Sequence, residues 1–231
     1  MQTFNWNSSR ILLVLMAVGG MAYGNLSAQT VYGMRQGMLP WQEGLFLGGY
    51  DALTQTWVFS DTLEYAEGFG LGTSTYDQWE DAYVFLGVPS GGGSLQWMSQ
   101  SVEPDVEEVT AELNSNLHSI HHDMQNGQFY GLQGYPVDSV WMDWGDGFGY
   151  WDYLEWGTRV VELEVVDGAV EVTGLLELEW LQGVVAGASC YDSDLHRFYI
   201  WGMDNSGTGR LISIDCVTAE VVTDVTPLPG D

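Results

Sequence analysis

The feature that most constrains this chain is a self-repeat built on aspartate. Asp77 is followed six positions later by Tyr83 and Val84, Asp123 by Phe129 and Tyr130, and Asp192 by Phe198 and Tyr199. Segments rich in small residues lead into two of these aspartates, Leu71-Gly-Thr-Ser-Thr-Tyr76 and Ala186-Gly-Ala-Ser-Cys-Tyr191; the third follows Leu117-His-Ser-Ile-His-His122. An aspartate at a hairpin corner accepts N–H groups about two residues on, and aromatic or β-branched residues suit the strand that leaves the corner. The pattern therefore predicts strand, Asp turn, aromatic strand, three times over. Periodic similarity of this kind marks a repeat architecture.

A second signature marks the later half of the unit. Asp51-Ala-Leu-Thr-Gln-Thr-Trp-Val58 and Asp215-Cys-Val-Thr-Ala-Glu-Val-Val222 run in register. Between the two signatures, Val161, Leu163 and Val165 alternate with Glu162 and Glu164, and Leu176, Leu178 and Trp180 with Glu177 and Glu179. A period of two means half-buried strands with their acids on the wet face. The unit is then four antiparallel strands over about 46 residues, the spacing from Asp77 to Asp123, which is the size of a propeller blade.

Over residues 45 to 228 these repeats resemble β-propeller blades of the Kelch, NHL and quinoprotein-like kind. The resemblance implies an all-β array and leaves activity open, since propellers host many functions. The sharper signatures of those families are absent: no Trp-Asp pair follows a Gly-His, and no paired-glycine Kelch pattern occurs. The expected organisation is a signal peptide over 1–28, a lead segment over 29–44, and a repeat domain over 45–231. The domain divides into a half blade (45–66) and blades at 67–113, 114–180 and 181–231, about three and a half in all. Such an array is open or incomplete, and its exposed strand edges would need missing blades or a second copy to complete them.

The unit at 114–180 is longer than its neighbours. From Asp123 to Val160 is 37 residues, against 18 from Asp77 to Leu95 and 19 from Asp192 to Leu211. The insertion, 134–157, reads as a loop and is crowded with rings: Tyr135, Trp141, Trp144, Phe148, Tyr150, Trp151, Tyr153 and Trp156, interleaved with Asp138, Asp143, Asp146, Asp152 and Glu155. Rings give flat apolar faces and carboxylates accept hydroxyl hydrogen bonds, a combination suited to a glycan or a protein ligand. The competing reading is a local mini-core of rings folded onto its own blade. Asp143, Asp146 and Asp152 around Gly145, Gly147 and Gly149 form a candidate calcium cage, although their spacing is not that of an EF-hand.

Charge narrows the partners. Five basic residues face 32 acids, for a net charge of -27, which excludes nucleic acid and anionic membrane surfaces as partners. Arg10, the apolar run 11–18 and the small residues through Ala28 predict export to the periplasm or exterior. The run is shorter than the roughly 20 residues that span a bilayer, so no membrane span is expected. Cys190 and Cys216 are the only cysteines. Export permits a disulfide between them, whereas their expected places, two strands apart, put them roughly 9 to 10 Å from each other. His118, His121 and His122 invite a metal reading, but a single strand presents at most two of them on one face. No Ser-His-Asp order, P-loop or dinucleotide fingerprint appears. The chain reads as a secreted binding module; the alternatives are a secreted glycan hydrolase using paired carboxylates and a structural fragment of a larger surface protein.

Overall fold

A computed structural model describes residues 30–36, 45–51, 53–101, 109–145 and 148–226. The expected signal segment 1–28 lies outside them. The described chain is all-β, with no helix among the described residues, and forms an open, propeller-like array of antiparallel blades.

The first sheet holds β1 (Thr30–Gln36), β2 (Leu45–Asp51) and β3 (Thr56–Leu63). The lead segment was expected to stay outside the array, yet β1 pairs along its full length with β2, so the half blade has three strands. The second blade is β4 (Ala66–Asp77), β5 (Ala82–Pro89), β6 (Gln96–Ser101) and β7 (Val109–Glu112). The third is β8 (Leu117–His122), β9 (Phe129–Gly145), β10 (Phe148–Val166) and β11 (Ala169–Leu178). The fourth is β12 (Leu181–Asp192), β13 (Arg197–Asp204), β14 (Gly209–Asp215) and β15 (Glu220–Val225). Each β4-type inner strand opens its blade, and β4 lies beside both β8 and β12. The second and third blades also touch at their outer strands, through a parallel bridge between Glu112 and Ala169, which makes them one nearly closed eight-stranded sheet.

The aspartates do what their spacing predicts. Asp51, Asp77, Asp123, Asp192 and Asp215 each accept the N–H two residues on through Oδ1, at 2.8 to 3.0 Å. Four positions after each aspartate the chain turns left-handed, at Gln55 (φ 56), Asp81 (φ 50), Gly127 (φ 75), His196 (φ 49) and Ala219 (φ 56). One corner geometry thus closes hairpins in the first sheet and in all three blades that follow it.

Between blades the packing is sheet on sheet, with one face of each blade covering its neighbour. Leu45, Leu47 and Leu63 of the first sheet meet Phe85 and Met98 of the second blade. Leu86 and Trp97 of the second meet Ile120, Val161 and Leu163 of the third. Leu132, Val160 and Leu178 of the third meet Phe198, Ile200, Ile212 and Ile214 of the fourth. Burying each such side chain contributes about 1.5 to 3 kcal/mol, so the three joints are the core.

Candidate functional site: an aromatic hairpin arm

The insertion is not a loop. The β9–β10 ladder that begins inside the blade, at Phe129 opposite Leu163, continues without leaving antiparallel pairing until Phe148 meets Gly145. Beyond Gly134, neither strand of this arm has a partner on its outer edge among the described residues: β8 pairs with β9 only to Gln133, and β11 with β10 only from Thr158. Pro136 is tolerated there because a strand edge needs no N–H from it. Three register shifts twist the arm, skipping Trp144, Leu154 and Val137. The loop expectation failed because strict alternation of apolar and polar residues is lost when rings occupy both faces.

Register assigns those faces. Trp151 lies opposite Trp141, and Gly149 opposite Asp143, on one side; Tyr150 opposite Met142 and Asp152 opposite Val140 lie on the other. The rings touch as this requires. Trp141 and Trp151 meet edge to face at 5.5 Å, while Trp144 with Tyr150 and Tyr153 with Trp156 meet at a tilt, each at 5.3 Å. Such pairs are worth about 0.5 to 1.5 kcal/mol beyond their burial. They hold the arm together in place of a core, and much of their surface stays open: Trp144 is 75%, Phe148 73% and Trp151 55% exposed. Leu154, Met142 and Val140, which the sequence reading passed over, add exposed aliphatic surface beside the rings.

The arm is anchored at its base. Tyr135 lies under the Arg159 guanidinium, 5.5 Å from ring centroid to Cζ, and its hydroxyl is buried with no hydrogen-bond partner among the described residues. Burial, then Glu177 and Glu179, push that phenol above its usual range. Gly157 permits the close crossing here, since a Cβ would stand 2.8 Å from Val137 Cγ2 and 3.2 Å from the Glu179 Cα. Asn205 of the fourth blade donates through Nδ2 to Glu155 Oε1 at 2.7 Å.

Among the described residues no calcium cage assembles. Asp143 and Asp152 project from opposite faces of the ladder, and strand alternation keeps them apart. Asp143 Oδ1 is taken by the Gly145 N–H at 2.8 Å, and Asp146 lies outside the described residues. The histidines diverge as well. His118 is exposed, His121 turns to Ser119 and Ser189, each 3.0 Å from Nε2, and His122 stands 3.2 Å from Asp77. Cys190 and Cys216 are both free, the first exposed and the second buried, so the disulfide is not formed. Burial pushes the Cys216 thiol up to about 12.

A shallow depression of about 460 Å³, which the sequence did not single out, lies on the fourth blade beside Asn205 and the arm's base. Trp180 carries the Arg210 guanidinium at 5.3 Å, and Arg210 clamps Asp224 through Nε at 2.9 Å and Nη2 at 2.6 Å while reaching Asp204 at 3.4 Å. Hydrogen bonds from Ser206 and then Thr208 hold the Asp204 carboxyl below its usual range. Asp204 and Asp224 are thus both held by Arg210, Asp204 within its own turn and Asp224 across the ladder. No helix among the described residues is long and apolar enough to cross a membrane. Neither the known protein-family models nor the curated proteins offer a match to this chain, and the functional reading accordingly rests on the arm.

Proposed function

We propose that this chain is a secreted, acidic, propeller-like binding module whose contact element is the hairpin arm, and that its ligand is a glycan. The observation that carries the reading is the open ring surface of Trp144, Phe148 and Trp151 on a paired, two-stranded scaffold. Exposed apolar surface of this density marks interaction sites in soluble proteins. The acids between the rings supply hydroxyl acceptors, with Asp143 on the Trp141 and Trp151 face and Asp152 on the Tyr150 face. Export follows from the composition of 1–28, and a charge of -27 suits a saline exterior, where ions shorten the reach of self-repulsion to about 8 Å or less.

One observation favours a second reading. Among the described residues both outer edges of the arm are unpaired beyond the blade, which is the geometry that accepts a strand from a protein partner. A glycan array probed with the parent, Trp144→Ala and Trp151→Ala separates the two. Parent binding that is lost in both variants supports the glycan. A silent parent, or binding that survives both changes, overturns it and leaves the strand-pairing partner.

A further inference from the structure

The position nine residues after each turn aspartate points toward the next blade, where it meets a cross-strand partner. Leu86 pairs with Trp97, Leu132 with Val160, and Trp201 with Leu211. Leu86 and Trp97 are 0% and 3% exposed, and Leu132 and Val160 are both 0%, because the third and fourth blades cover them. In the first sheet, Leu47, four residues before Asp51 as Leu211 is before Asp215, is likewise fully buried, beneath the second blade. Trp201 and Leu211 break the series at 37% and 40% exposed. Alternation puts Met203, and the Leu211 partner Val225, on the same face, and both are exposed.

We infer that this face of the fourth blade is a self-association surface, covered in solution by a second copy of this chain. Two observations identify the occupant. The surface continues a series of three interfaces in which the covering element is each time an apolar sheet face of this same chain. Its centre, formed by Tyr199, Trp201, Met203, Leu211, Thr223 and Val225, also holds no carboxylate, although the chain carries 32 acids. Two copies of a strongly anionic protein repel except where acids are missing, and here apolar burial can exceed that repulsion. A Trp at the centre of such a face is the residue type that most often dominates association energy.

The test is sedimentation velocity on the full chain over a wide concentration range, with Trp201→Asp/Leu211→Asp and, separately, Met203→Glu. All three sites are exposed, so far-UV circular dichroism should match the parent, although the double variant loses some stability because its two carboxylates face each other across the ladder. The parent is expected to self-associate, and the double variant to do so at least about tenfold more weakly, with Met203→Glu weakened in the same direction. Trp144→Ala on the arm should associate as the parent does. A parent that stays monomeric throughout, or association that survives the double variant, overturns the inference. Association lost on Trp144→Ala instead would assign the contact to the arm and overturn it equally.

Discussion

His196 Nδ1 donates to Oδ2 of Asp123 across 2.8 Å, joining a turn of the fourth blade to a fully buried carboxylate of the third. Asp123 Oδ2 also accepts from Tyr191 at 3.0 Å, and its Oδ1 from the Gln125 N–H at 2.9 Å. Tyr191 immediately precedes the turn aspartate of its blade, as His122, 3.2 Å from Asp77, precedes the one in its own. The same corner that closes a hairpin therefore also latches the blade behind it.

Asp123→Ala removes three hydrogen bonds at once and leaves the Tyr191 hydroxyl and the Gln125 amide facing a void. Unsatisfied buried groups and broken buried pairs point to a loss of about 3 kcal/mol. Urea unfolding measures it. Asp192→Ala, whose carboxylate serves only the N–H groups of Asp194 and Leu195 in its own turn, should lose about 1 kcal/mol.

His121 makes stability fall on mild acidification. It is buried against Ser119, Ser189 and the Phe198 ring, and burial pushes its imidazole down to about 4. In the unfolded chain it titrates near 6.5, so below that pH the unfolded state binds the extra proton and is favoured. Its share of stability is complete above about pH 6.5, declines as the pH falls to about 4, and totals about 3 kcal/mol. The difference in urea midpoint between pH 7 and pH 4.5 should shrink in His121→Gln, which does not titrate. An equal difference in both proteins would refute this assignment.

The left-handed corner positions predict opposite outcomes for two small changes. Ala219 holds φ 56 without being glycine, so Ala219→Gly should stabilise by about 0.5 to 1 kcal/mol. Gly127 has φ 75, and a Cβ there would stand 2.8 Å from the Trp79 ring. Gly127→Ala should destabilise by about 2 kcal/mol. Melting temperatures of the two variants should move in opposite directions.

These corners explain what was legible in the sequence. Their chemistry is local: an Asp side chain bonds the backbone two residues on wherever it occurs, so Asp77, Asp123 and Asp192 announce their hairpins without any tertiary context. The strands of the fourth blade were readable for the same reason. The strand β1 was not, because Thr30–Gln36 has no turn aspartate beside it and is recruited by pairing with β2. The arm escaped because a two-stranded ladder with rings on both faces lacks the period-two signal of a half-buried strand. Its ring content still set the insertion apart from the rest of its blade. The calcium cage failed for a reason sequence spacing cannot carry: whether Asp143 and Asp152 share a face depends on a register that bulges elsewhere in the arm redefine.

Removing the arm tests whether it serves the fold or a ligand. Its rings pair with one another, and at its base Tyr135 and Glu155 touch the blades. The three hydrophobic clusters that join the blades include no ring from Trp141 to Trp156. Replacing residues 136–156 with an Asn-Gly turn leaves Tyr135 opposite Gly157 and so keeps the ladder from Phe129 to Gln133 against Arg159 to Leu163, and that turn type suits a two-residue hairpin. The shortened chain should therefore unfold within about 1 kcal/mol of the parent, apart from the lost Glu155 to Asn205 bond, while losing ligand capture completely. A collapse of the urea midpoint would show that the rings support the third blade, and that the open surface of Trp144 and Trp151 is a by-product of packing rather than a contact site.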